Sequence, residues 1–83
     1  MMSIDDSEFD FRSWLIRKMG ARELKQAGNA VIGEYWSDLE MNARVLHLHY
    51  DEAWGWDLFA KDAKSNNILN GIYERFCSEM ARH

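Results

Sequence analysis

Between Arg44 and Phe59 the chain alternates polar and apolar residues twice. Leu46, Leu48 and Tyr50 alternate with His47 and His49, and Trp54, Trp56 and Leu58 alternate with Gly55 and Asp57. A period of two puts each set on one face of an extended strand. Polar Asp51-Glu52 separates the two runs, so the stretch reads as a β-hairpin with a heavily aromatic face. A lone hairpin is marginal in water, so the rest of the chain has to cover that face.

Two segments can cover it. From Ile68 onward, Ile68, Leu69, Ile72, Tyr73, Phe76, Cys77 and Met80 recur at helical spacing, Ser65-Asn66-Asn67 supplies a cap, and Arg75, Glu79 and Arg82 lie on the outer face. Near the other end, Ser7 with Asp10 three residues later marks a helix start. That helix is expected from about Glu8 to Ala27, with a break or kink at Gly20 and a stop at Gly28-Asn29. Phe9, Ile16, Met19, Leu24 and Ala27 then fall near one face. Phe11, Trp14 and Leu15 fall off that stripe, and burial is the expectation for them over exposure to a partner.

The segment between is read as a third strand over residues 30–36, followed by a loop over residues 37–42. A competing pattern runs through it: Ile32, Trp36, Leu39, Ala43, Leu46 and Tyr50 form a heptad seam, which in a long central helix would give an all-α bundle. Gly33 inside that helix, the Val-Ile and Tyr-Trp pairs, and the two alternations downstream favour strands. The expected fold is a small single α+β domain: α-β-β-β-α, a three-stranded antiparallel meander packed by two helices, after a frayed acidic arm at Met1–Asp6.

Eighty-three residues make a small domain for one core, but four Trp, three Tyr and four Phe supply large apolar areas. The lone Cys77 permits no internal disulfide. No apolar run approaches the ~20 residues needed to span a bilayer. The acidic start carries no basic n-region, so a cytoplasmic protein without a membrane partner is expected.

Little here suggests catalysis. His47 and His49 share a strand face, but no third residue stands at a ligand spacing, so neither metal nor cofactor is expected and both rings are assigned to solvent. Cys77 lies among Tyr73, Phe76 and Met80, which reads as a buried thiol and not a nucleophile. There is no glycine-rich phosphate loop and no nucleophile elbow. The expected protein is not an enzyme.

The net charge of −4 is unevenly spread. Arg17, Lys18, Arg22 and Lys25 fall together on the first helix, and their face could contact phosphate. The α-β-β-β-α order is also that of double-stranded-RNA-binding domains, with Lys61 and Lys64 flanking the last helix. A nucleic-acid-binding regulator is therefore the alternative reading. The acidic middle gives the preferred one. Asp38, Glu40, Asp51, Glu52, Trp54 and Asp57 mix carboxylates with aromatic residues, which suits docking on a larger protein or ribonucleoprotein with a basic surface. Inhibition or modulation of that partner is the expected role. Phage and mobile-element antagonists, such as anti-CRISPR proteins and nuclease inhibitors, are the class it suggests. A purely structural homo-oligomer built through an exposed strand edge or an aromatic patch is the third reading.

Overall fold

A computed structural model of the chain describes residues 1–29, 31–60 and 65–81. Strands β1 (Met2–Ile4), β2 (Arg22–Asn29), β3 (Glu34–Met41), β4 (Arg44–Asp51) and β5 (Gly55–Ala60) form one antiparallel sheet in the order β1-β5-β4-β3-β2. Helices α1 (Phe11–Met19) and α2 (Asn66–Met80) complete the fold. The class is α+β with two helices packed on an antiparallel sheet, as the alternations require. The heptad seam is not a helix: Trp36 and Leu39 sit in β3, and Leu46 and Tyr50 in β4.

The sheet is wider than a three-stranded meander, because strands form in two places where the sequence suggests none. The expected helix over residues 8–27 is cut short at both ends. Asp10 caps it, accepting from the Ser13 N–H at 3.1 Å and the Ser13 hydroxyl at 2.8 Å. Gly20 ends it in the left-handed region (φ 70°), where the Gly20 and Ala21 N–H groups both return to the Leu15 carbonyl. The chain then reverses, and Arg22–Asn29 pairs with β3 from Arg22↔Glu40 to Asn29↔Glu34. Leu24 and Ala27, assigned to the buried helix stripe, are exposed, whereas Phe11, Trp14 and Leu15 are buried. The first residues are not a frayed arm: Met2 and Ile4 are buried, and β1 pairs with Leu58–Trp56.

The third expected strand is shifted. Residues 31–33 form a turn, and β3 continues through the stretch assigned to a loop. Its hairpin with β4 closes at Asn42 and Ala43, both with positive φ (52° and 62°), the geometry of a two-residue turn that matches strand twist. The sequence-based roles of Lys61, Lys64 and Arg82 fall outside the described residues.

Directly paired residues share a face, so the register sorts the side chains. Leu39↔Leu46, Leu48↔Leu58 and Tyr50↔Trp56 point to the side where Phe11, Trp14 and Leu15 of α1 and Leu69 and Ile72 of α2 are buried. Both helices therefore lie on one face. Phe11 packs edge-to-face against Trp56 and Phe76, at centroid distances of 6.3 and 5.7 Å. Trp14 Nε1 donates to Glu79 and Trp56 Nε1 donates to the Phe9 carbonyl, each at 2.7 Å, so both large rings bury without orphaning their polar atom.

At the β2 end of the core, Glu23 replaces apolar packing with a polar hub. Its carboxylate accepts two hydrogen bonds from Arg12, at 2.6 and 2.7 Å, and one each from the Tyr35 and Ser37 hydroxyls, both at 2.7 Å. The Arg12 pair foremost, then these hydroxyls, lower the Glu23 pKa from 4.5 to about 2 against the opposing effect of burial. A lowered folded-state pKa stabilises the fold above the unfolded value, and this stabilisation is lost as pH falls from 4.5 towards about 2. Glu23→Gln is expected to cost ~2 kcal/mol at neutral pH, as a loss of charge-assisted hydrogen bonds. Urea midpoints measured for both proteins from neutral pH downward should converge near the acid end. A gap that persists there would assign the loss to shape, not charge.

Candidate docking face

The other face of the sheet has no helix on it among the described residues. Its residues follow from the register. One row runs Ser3, Asp57, His49, Trp36, Ala27 from β1 to β2, and the next runs Phe59, His47, Asp38, Lys25. Towards one end of the sheet come Asp51, Glu34 and Asn29, and towards the other Val45, Glu40 and Arg22. The centre is a half-buried band of rings: Trp36 lies 5.3 Å from His49 and His47 6.3 Å from Phe59, centroid to centroid. Carboxylates flank the band on β3, β4 and β5, while the cations Arg22 and Lys25 are confined to the β2 edge.

Hydrogen bonds hold several of these acids in place. Asp57 Oδ1 accepts from the Ser3 hydroxyl at 2.7 Å, and His49 Nδ1 stands 3.9 Å from Asp57 Oδ2. His47 Nδ1 lies 2.8 Å from Asp38 Oδ1, and Arg22 Nη2 donates to Glu40 Oε1 at 2.8 Å. Asp51 Oδ1 accepts from the Ala53 N–H at 2.8 Å, which shapes the β4–β5 turn. These bonds fix the positions of the acids while leaving most of them partly accessible.

At one end of the sheet two turns sit side by side. The Glu52 N–H donates to the Gly33 carbonyl at 3.1 Å, joining the β4–β5 turn to the β2–β3 turn. This joint presents three large apolar side chains to solvent: Val31 at 93% exposure, Ile32 at 55% and Trp54 at 79%. Glu34 and Asp51, at the strand ends, and Glu52, in the turn, adjoin them along the chain. Exposed apolar groups rimmed by charge are the usual composition of an interaction surface.

No protein-family model, curated protein or solved structure matches this chain. The residues themselves are therefore the guide. Asp38, Glu40, Asp51 and Asp57 share the open face, and Glu52 and Trp54 stand in the turn at its end. The basic set does not hold together. Arg17 and Lys18 end α1, but Arg22 and Lys25 belong to β2, so these four residues do not form one helix face. The order of elements also has a strand before α1 and four after it, unlike the α-β-β-β-α order.

Cys77 is exposed, not buried. The buried stripe of α2 is Leu69 and Ile72 with half-buried Phe76, and Tyr73 and Cys77 turn outward. Among the described residues, no three His, Cys, Asp or Glu side chains converge as metal ligands would, and no helix is long and apolar enough to cross a membrane. Sequence reasoning left out Trp36, Phe59, Val31 and Ile32. For Trp36 the signal was present: Glu34, Trp36, Asp38 and Glu40 alternate with Tyr35, Ser37, Leu39 and Met41. Ser37, read as the start of a loop, is instead a buried residue held to Glu23.

Proposed function

We propose that this protein is a non-catalytic docking module that binds a basic surface of a larger protein or ribonucleoprotein and modulates or inhibits it. The observation that supports this reading is the open face. Carboxylates on three adjacent strands flank a band of rings, and the exposed Trp54, Val31 and Ile32 stand at its end. Rings and aliphatic side chains supply desolvation at contact, and the fixed carboxylates steer encounter and reject acidic partners. Surfaces evolved to hold nucleic acid are basic. A nuclease or a CRISPR ribonucleoprotein is therefore the partner class this reading puts first, as in antagonists of phages and mobile elements.

The test is charge reversal where the fold does not depend on the acid. Glu34→Lys with Glu52→Lys should leave the melting temperature nearly unchanged, since surface changes usually stay within about 0.5 kcal/mol. Affinity for a partner captured by the unmodified protein should fall at least about tenfold, mostly through the on-rate. Raising salt should weaken the unmodified complex as well. Unchanged affinity in the double variant would remove the open face from the interaction.

A further inference from the structure

The two edges of the sheet differ. β1 is three residues long, whereas β2 is eight residues long and exposed at every residue except half-buried Glu23. A long bare edge presents a row of unpaired N–H and C=O groups and is a template for another strand. We infer that β2 pairs antiparallel with β2 of a second copy, about a two-fold axis through Gln26, joining the two sheets into one.

The register follows from the faces. In pairing with β3, Arg22, Lys25, Ala27 and Asn29 lie on the open side, Glu23, Gln26 and Gly28 on the helix side, and Leu24 is the extra residue of a bulge. With Gln26 opposite Gln26, Lys25 meets Ala27, the Glu23-Leu24 bulge meets Gly28, and Arg22 meets Asn29. The whole strand is used and each side of the sheet continues into the same side of the other copy. Centring on Lys25 would set like charges opposite one another. Centring on Ala27 would leave Arg22, Glu23 and Leu24 overhanging past Asn29.

The side chains suit the Gln26 register. Leu24, 45% exposed, stands beside Gly28 of the second copy, which has no side chain to obstruct it. Arg22 stands beside Asn29 of the second copy, whose next neighbour is Glu34. The Arg22 guanidinium has donors left after binding Glu40, so it can reach that carboxylate across the seam. Lys25 stands beside Ala27 of the second copy. Its stem can cover the shallow depression of about 170 Å³ next to Trp36, with the ammonium over the ring. A two-fold contact makes each of these interactions twice. The strand pairing itself is made by the β2 edge, and of the open face only the side next to that edge, Glu34 and Trp36 included, lies at the seam, so the pairing stands whether or not the docking reading holds.

Sedimentation equilibrium on the full chain should give twice the 9.8 kDa chain mass, at concentrations up to about 0.1 mM. Gln26→Lys sets two ammonium groups face to face on the axis. It should return the mass to that of one chain with the circular dichroism unchanged, and melting of the single chain should fall no further than in Gln26→Ala, which loses the same 3.1 Å contact with the Tyr35 hydroxyl. In a Cys77→Ser background, Gln26→Cys should cross-link to itself under mild oxidation at least about tenfold faster than Ala27→Cys, because only the residue on the axis meets its own copy within disulfide reach. A single-chain mass throughout that range overturns the proposal. So does a dimer indifferent to Gln26→Lys, or equal cross-linking at the two positions.

Discussion

Phe11→Ala is expected to lower unfolding free energy by about 4 kcal/mol, the upper range for emptying a buried aromatic site. Phe11 is fully buried and joins three elements: it stacks on Trp14 of its own helix and meets Trp56 of β5 and Phe76 of α2 edge-on. The cost of such a cavity depends on how far its walls can collapse. Here two walls are tied. The Trp14 indole is held by Glu79 and the Trp56 indole by the Phe9 carbonyl, so neither ring can move into the vacated space without breaking a part-buried hydrogen bond. A domain of this length has about 4–12 kcal/mol in total, so the variant should lose between about a third and all of its stability. Urea denaturation followed by circular dichroism measures the loss. Trp54→Ala, which removes a larger ring from an exposed turn, should shift the midpoint by no more than about 0.5 kcal/mol. If the two variants lost similar stability, the aromatic cluster would not be the joint between helices and sheet.

The contrast between those two positions marks what could be read from the sequence. Alternation gave β4 and β5, and helical periodicity gave α2, because in each the covered face imposes its own period. β2 was hidden for the opposite reason. Arg22, Glu23, Leu24, Lys25, Gln26 and Ala27 are helix-favouring residues in an exposed element, so no buried stripe reports their conformation. Pairing with β3 and the Glu23 hub make them a strand, and neither is visible locally. The left-handed Gly20 was visible as a break but not as a reversal. β1 is too short to carry a period. Asp57, between Trp56 and Leu58, could be assigned to the face away from the core before the strand order was known. Asp38 and Glu40 could not, because residues 37–42 read as a loop and only β3 puts them on the open face. The exposure of the aliphatic side chains at the β2–β3 turn could not be read either, because Val31 and Ile32 read as strand residues and only the turn at residues 31–33 exposes them.

Gly55 supplies the second large effect and shows how the first strand is held. It is buried at the start of β5 with φ 96°, in the region side chains rarely adopt. A Cβ there would run into the Ile4 carbonyl, with the Asp6 amide nitrogen 3.1 Å away, where the chain leaves β1. Gly55→Ala therefore adds two penalties. One is left-handed strain, about 1–2 kcal/mol for a residue with a Cβ. The other is displacement of β1, which would expose the buried Met2 and Ile4, at ~1.5–3 kcal/mol for each side chain fully uncovered. A total loss of at least about 3 kcal/mol is expected. Gly20→Ala separates the two terms. Gly20 has a similar φ of 70°, but nothing lies within 4 Å of its would-be Cβ, so only the strain applies and the loss should stay near 1 kcal/mol. Denaturant midpoints of the two variants give the difference. Hydrogen exchange should show the amides of residues 2–4 losing protection in Gly55→Ala and keeping it in Gly20→Ala. Equal losses, with β1 still protected, would mean that Ile4 yields without cost and that β1 is held by its pairing with β5 alone.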